Sequence, residues 1–517
     1  MVTGSNNLVT LGTSGVSFDD VLAVARHHAK VALAPEAVDA IRETRKYIDA
    51  YAVGGIPVYG VSTGFGALAN RHIDVEDRTQ LQKSLIRSHA AGVGPAIENE
   101  VVRALMFLRL RTMASGRTGV RIEVAQAYID FLNSGITPIV PEFGSLGCSG
   151  DLAPLAHCAL AMMGEGTVHD LNGREMPSLE AIQAAGLKPV ELEAKEGLAL
   201  INGTDGMLGM LIMACADLAA LCTVADITAA MSVEGLLGTD RVFAPELHAP
   251  LRPQVGQIAS AANIYALLRN SGIIASHLEH DSRMQDAYSL RCAPQVNGAV
   301  RDTVEYASTI AHRELQSSID NPVVLPDGRI ESNGNFHGAP IGYVLDFLAI
   351  AAADLGSMAE RRTDRMLDQH RSAGLPPFLA HDPGVDSGLM IAQYTQAGLV
   401  SENKRLAVPA SVDSIPSSAM QEDHVSMGWS AARKLRKVVE NLSRILAIEL
   451  VTAARAIELR EGLTPSPATA SVIKALRQVV PGSGPDRWLS PELEAATSLV
   501  QSGKVQLAAR KIINDLH

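Results

Sequence analysis

The segment Gly144-Ser145-Leu146-Gly147-Cys148-Ser149-Gly150-Asp151-Leu152-Ala153-Pro154-Leu155-Ala156-His157 sets a Cys-Ser-Gly tripeptide among glycines, with an aspartate directly after it. Such a run can make a reagent from its own main chain. If the Gly150 amide nitrogen attacks the Cys148 carbonyl carbon, a five-membered ring closes over Ser149. Glycine is required at 150 because a Cβ would crowd the attacking nitrogen and because the bend demands unusual backbone angles. Loss of water from the ring, and of a second water from the Ser149 side chain, leaves an exocyclic methylene beside a carbonyl, a strong electrophile. The plainer reading is a tight turn that ends in Asp151 as a helix N-cap, with Pro154 in the first turn. It accounts for Gly150 and Asp151 but not for a Cys-Ser pair held between glycines.

Other segments offer less. Gly64-Phe65-Gly66-Ala67-Leu68-Ala69 has the outline of a dinucleotide fingerprint, but Val58–Val61 is a poor strand and residues 84–88 hold no acid where the ribose would need one. His277-Leu278-Glu279-His280 lacks the HExxH spacing of a zinc helix and reads as a polar helix face. No metal is called for, and there is no GxSxG elbow.

With these residues set out, the chain resembles a family: the aromatic amino acid ammonia-lyases and aminomutases that carry a methylidene-imidazolone group (MIO). Their usual tripeptide is Ala-Ser-Gly. Here it is Cys148-Ser149-Gly150, and only the backbone carbonyl of the first residue enters the ring. Val58-Tyr59-Gly60-Val61-Ser62-Thr63-Gly64-Phe65-Gly66 resembles the family's catalytic-tyrosine loop, and Asn202-Gly203-Thr204 its active-site asparagine. Gln285-Asp286-Ala287-Tyr288-Ser289-Leu290-Arg291-Cys292 resembles its substrate-binding stretch; Asp320-Asn321-Pro322 and Gly334-Asn335-Phe336-His337 also match.

The resemblance implies roles. Ser149 becomes the electrophile. Tyr59 is the base for the β-proton, and moving a phenol from pKa about 10 to about 7–8 takes about 3–4 kcal/mol of differential stabilisation. Arg291 binds the substrate carboxylate. Asn202, Gln285 and Tyr288 orient the ring, amine or carboxylate, Phe336 walls the pocket and Asn335 lines it. Asp151 assists ring closure. The family's sites draw residues from several subunits of a homotetramer.

Two positions resemble the histidine-specific members: Ser88-His89, where phenylalanine and tyrosine enzymes carry Phe-Leu or His-Leu, and Met420-Gln421-Glu422-Asp423-His424-Val425-Ser426-Met427-Gly428, where phenylalanine enzymes carry Gln at 422. A buried imidazole needs partners for both nitrogens. Glu422 can accept from a ring N–H and His89 supplies a further polar group, whereas a phenyl ring would leave the carboxylate uncompensated. The implied reaction is non-oxidative deamination of L-histidine to trans-urocanate and ammonia. The alternatives are a tyrosine or phenylalanine ammonia-lyase, or a 2,3-aminomutase that returns the amine to the β-carbon.

The elements that must hold these residues are helical. Hydrophobic residues make up 47% of 517, charged residues 19% and aromatics 4%, so the core is largely Ala, Leu, Val, Ile and Met. Ser17 reads as an N-cap. Helices are expected at 35–52, 98–115 and 120–132, then over 205–235, 253–270, 298–318, 340–366, 389–405, 422–460, 466–479 and 504–515. Asn172-Gly173 and Asp327-Gly328 mark small hairpins. The fold is therefore expected to be mainly α: a long-helix bundle core (231–517) and a smaller, mostly helical N-terminal domain (1–230) that carries the ring-forming loop.

A net charge of −12 argues against nucleic acid as a partner. Residues 1–20 lack the basic and apolar regions of a signal peptide. Met207–Cys222, interrupted by Asp217, reads as a buried helix and not as a membrane span. Five cysteines without CxxC suggest no disulfide framework and a cytoplasmic setting.

Overall fold

The structure is a computed structural model that describes residues 8–53, 63–64, 71, 73–278 and 283–517. Tyr59, most of its glycine-rich loop and His280 lie outside these residues. The chain is mainly helical, 58% helix and 7% strand. Ser17 caps Phe18–His27 through a capping box: its Oγ accepts from the Asp20 N–H, and the Asp20 carboxylate accepts from the Ser17 N–H. The hairpins form where the Asn-Gly and Asp-Gly signals stand, pairing Thr167–His169 with Glu175–Pro177 and Val323–Val324 with Ile330–Glu331.

The chain divides into two compact units. The first comprises residues 1–213, 308–345 and 409–433, the second 214–307, 346–408 and 434–517. The four longest helices are Asp205–Gly235, Ala293–Leu315, Ala339–Leu367 and Gly428–Glu458. Asp205–Gly235 is nearly apolar on every side, and almost all of it is buried. It and Ala339–Leu367 are long and apolar enough to cross a membrane, yet both are mostly buried within the protein, as core helices are.

Two helical expectations need correction. The helix expected to begin at 422 begins at Gly428. Before it, Ser418, Ala419, Met420 and Met427 all adopt left-handed backbone angles, which no helix can continue through. Glu422 therefore stands on a loop. Arg78–His89 and Ser490–Gln501 are helices that the periodicity did not single out, the second with Pro491 in its first turn.

In the second unit, buried Arg362 and Glu449 pair, and the Glu449 carboxylate also accepts from Thr228 Oγ1 (2.7 Å) and Ser232 Oγ (2.8 Å). The ion pair thus has its remaining lone pairs satisfied, as a buried charge requires.

Candidate active site

The ring-forming loop lies in the first unit, fastened on both flanks. Ser145 Oγ donates to Asp151 Oδ1 (3.0 Å) and accepts from the Gly147 N–H (3.1 Å). From the other side, Ser426 Oγ donates to the Gly147 carbonyl (2.8 Å) and the Met427 N–H to the Leu146 carbonyl (2.9 Å). Gly147 and Gly150 both have positive φ, +65° and +77°. A Cβ on Gly150 would sit 2.1 Å from the Gly203 carbonyl oxygen, so only glycine fits there. The glycine that the chemistry demands is thus also the one that the packing demands.

Asp151 occupies the N-cap position of the helix Leu152–Met162, but its side chain does not cap that helix. Its Oδ2 accepts instead from the Met207 N–H (2.8 Å), in the first turn of Asp205–Gly235. The capping expectation is corrected accordingly: the carboxylate serves the helix that follows Asn202-Gly203-Thr204. It is fully buried, and burial pushes its pKa up to about 7 against the Met207 and Ser145 hydrogen bonds.

A carboxyl whose folded pKa is raised stabilises the fold below its unfolded value, about 3.9, and loses that contribution as pH rises through about 7. Asp151→Asn should therefore flatten the decline in melting temperature between about pH 4 and 7. Melting curves of the two proteins across that range, with parallel slopes, would contradict the assignment.

Asn202 closes the other side of the loop. Its neighbour Gly203 accepts from the Asp151 N–H (2.8 Å), and Asn202 Nδ2 donates to the Asn321 carbonyl (2.9 Å). Asn202 is buried, and its Oδ1 has no hydrogen-bond partner. An orphaned acceptor of this kind costs about 1–3 kcal/mol unless a donor is brought to it.

Behind it, Arg109 donates to the Asn202 carbonyl (2.8 Å) and the Ile319 carbonyl (2.6 Å). Lys195 Nζ and Asp320 Oδ2 form a fully buried ion pair at 2.6 Å. Asn333 then joins two of the matched motifs. Its Nδ2 donates to the Asp320 carbonyl (2.9 Å), and its N–H donates to Asn321 Oδ1 (3.0 Å). Its own Oδ1 accepts from the Asn335 N–H (2.9 Å). Asn335 is exposed and Phe336 half-buried.

Glu422 is half-buried, and its Oε2 accepts from Ser417 Oγ (3.0 Å). Beside it, the Cys148 thiol has its pKa pushed up to about 12, first by burial and then by the Glu422 charge. His89 ends the helix Arg78–His89, with Nδ1 2.9 Å from the Leu85 carbonyl. Burial lowers its pKa, while the Glu422 charge acts in the raising direction. The first unit therefore brings together the Cys148-Ser149-Gly150 loop, Asn202, His89 and Glu422, and ties the Asn335 segment to Asn202 through Asn321 and Asn333.

Gln285, Tyr288 and Arg291 belong to the second unit. Tyr288 is 70% exposed, and the Arg291 guanidinium lies 4.7 Å from its ring centroid. Arg291 Nε is buried without a partner. Gln285 and Arg291 line a cavity of about 430 Å³ together with Arg241, His277 and Arg283.

Sequence reasoning missed Lys195, Arg109, Ser145, Ser417 and Ser426. A signal for Arg109 was present: Asn99–Ala114 is an otherwise apolar helix in which Arg103, Arg109 and Arg111 are all buried. Arginines at such positions must be serving carbonyls or carboxylates.

A mainly helical chain with a Cys-Ser-Gly loop whose packing admits only glycine at 150 defines a class. The chain belongs to the aromatic amino acid lyase family, whose model matches residues 16–478. It is 66% identical over 509 residues to a histidine ammonia-lyase of Streptomyces avermitilis, covering 98% of this chain and 99% of that protein. A histidine ammonia-lyase of Streptomyces coelicolor is 65% identical over 98% of this chain and 99% of its own. Among solved structures, a histidine ammonia-lyase from Trypanosoma cruzi superposes with a TM-score of 0.90 at 38% identity, covering 98% of this chain and 96% of that one. A tyrosine aminomutase from Streptomyces globisporus superposes with a TM-score of 0.91, also at 38% identity, covering 97% and 98%.

Proposed function

We propose that this protein is a histidine ammonia-lyase, converting L-histidine to trans-urocanate and ammonia at an MIO group formed from Cys148, Ser149 and Gly150. The observation that carries the substrate is Glu422: a half-buried carboxylate held by Ser417, on the segment whose Ser426 and Met427 hydrogen-bond Gly147 and Leu146 of the Cys148-Ser149-Gly150 loop. The identity to the Streptomyces histidine enzymes, at 65–66%, exceeds the 38% to the aminomutase and supports lyase over mutase.

The loop fits the group. Gly150 has the only side chain its packing allows, and Asn202 Oδ1 offers an unused buried acceptor one residue from the Gly203 carbonyl that the loop packs against. Once formed, the group would supply an electrophile for the substrate's amine or for its ring. The chain's own residues do the rest. Glu422 accepts from an imidazole N–H, and His89 provides a second polar partner for the ring. Arg291 holds the substrate carboxylate through charge-assisted hydrogen bonds worth roughly 1.5–3 kcal/mol. Tyr59, outside the described residues, is the base for the β-proton. Asp151, buried with a pKa of about 7, is placed to exchange a proton with the loop backbone during ring closure.

Gln285, Tyr288 and Arg291 complete the assignment as groups that bind and orient the substrate. An aromatic ring left 70% exposed beside a buried guanidinium atom with no partner supports their being offered to a neighbouring copy, in a homotetramer whose sites are shared. Five free thiols support a cytoplasmic setting.

Incubating the purified protein separately with histidine, phenylalanine and tyrosine tests the reading. The expected outcome is a conjugated ultraviolet-absorbing acid and stoichiometric ammonia from histidine alone. A β-amino acid product, or preferential turnover of phenylalanine or tyrosine, would replace it with the aminomutase or the other lyase.

A further inference from the structure

His337 and His424 lie 87 residues apart in sequence and meet in the first unit. Their ring centroids are 5.3 Å apart with 26° between planes, and His337 Nε2 is 3.2 Å from His424 Nδ1. The proton positions follow from the surrounding bonds. The Ala339 N–H donates to His337 Nδ1 (3.3 Å), so that nitrogen carries a lone pair. The proton of a neutral His337 is then on Nε2, directed at the His424 Nδ1 lone pair.

The bond joins the two segments that carry the ring-pocket residues. His337 follows Asn335 and Phe336 directly, and His424 is two residues after Glu422. Each segment also has anchors of its own, the first running on into the helix Ala339–Leu367. The Asn335 segment hangs from Asn333, which is tied to Asp320 and Asn321. The Glu422 segment is pinned to the loop at Leu146 and Gly147 through Met427 and Ser426. Between those anchors, Ser417 holds Glu422 through its hydroxyl and through a backbone bridge, and the Val425 N–H donates to Ser414 Oγ (3.0 Å). The backbone there passes through left-handed angles at Ser418, Ala419 and Met420, conformations that non-glycine residues keep only when the surroundings hold them.

We propose that His337 and His424 are a positioning pair, a clasp that fixes the separation between Phe336 and Glu422 and so sets how tightly the substrate ring is gripped. This rests on the reading of Glu422 and Phe336 as substrate-binding residues. Neither histidine is assigned contact with the reacting atoms, so loosening the clasp should weaken binding more than chemistry.

The test uses steady-state kinetics of the full-length protein. His424→Leu and His337→Leu should each raise KM for histidine about tenfold with kcat changed less than about threefold, and the double variant should be no worse than either single one. His424→Asn places an amide oxygen where Nδ1 stood, and His337→Gln places an N–H where Nε2 stood; each should return KM to within about threefold of wild type. Near-ultraviolet absorbance of the mature loop should be retained throughout. Unchanged KM in the leucine variants would overturn the clasp. So would additive losses, or amide variants as impaired as the leucine ones. The series is run on whichever aromatic amino acid the wild-type protein deaminates. Failure of wild type on histidine would therefore sink the substrate reading while leaving the coupling between the two histidines measurable.

Discussion

Ser149→Ala should yield a folded protein without the near-ultraviolet absorbance of the mature loop and with almost no turnover. The fold should survive because what holds the loop is not the Ser149 side chain. Ser145, Ser426 and Met427 bind Leu146, Gly147 and Asp151, and the Gly203 carbonyl packs on Gly150. Turnover should not survive, because alanine has no hydroxyl to lose as water and no methylene can form. A loss of roughly 10³–10⁴-fold corresponds to about 4–5 kcal/mol of transition-state stabilisation. Circular dichroism and kinetics on the same sample separate the two effects. Normal activity in this variant would remove the electrophile from the mechanism.

Glu422→Gln should lower kcat/KM for histidine by roughly 10²-fold, about 3 kcal/mol, and leave any phenylalanine turnover unchanged or higher. Glutamine keeps the shape and one acceptor but not the charge that strengthens a bond to an imidazole N–H. Ser417 Oγ still has an oxygen to donate to, so the loop should persist. Equal losses on both substrates would mean that Glu422 supports the loop and does not read the ring.

Chemistry was more legible in the sequence than geometry. Cys148-Ser149-Gly150 could be read because ring closure imposes residue type and adjacency together, and both survive translation into a string of letters. Glu422 could be read as a ring-binding acid, but its local structure could not. The bend at Ser418, Ala419, Met420 and Met427 uses left-handed angles without glycine, so the sequence runs on as though the helix had already begun. The hairpins at Asn172-Gly173 and Asp327-Gly328 were visible because two-residue turns have a strong local code.

Asp151 shows the opposite limit. Its position promised a local cap, and the structure sends its carboxylate to Met207, 56 residues away. Lys195 and Asp320 are separated by 125 residues, and nothing near either announces the other. Partnerships of that kind are set by tertiary packing, which periodicity and capping rules do not encode.

Mass spectrometry of the peptide spanning Cys148–Gly150, from freshly purified and fully active protein, tests the central claim most directly. The account predicts a wild-type peptide two water molecules below its encoded mass, and a Ser149→Ala peptide no more than one water below its own. An active wild-type sample in which that peptide carries its whole encoded mass would contradict the account at its root.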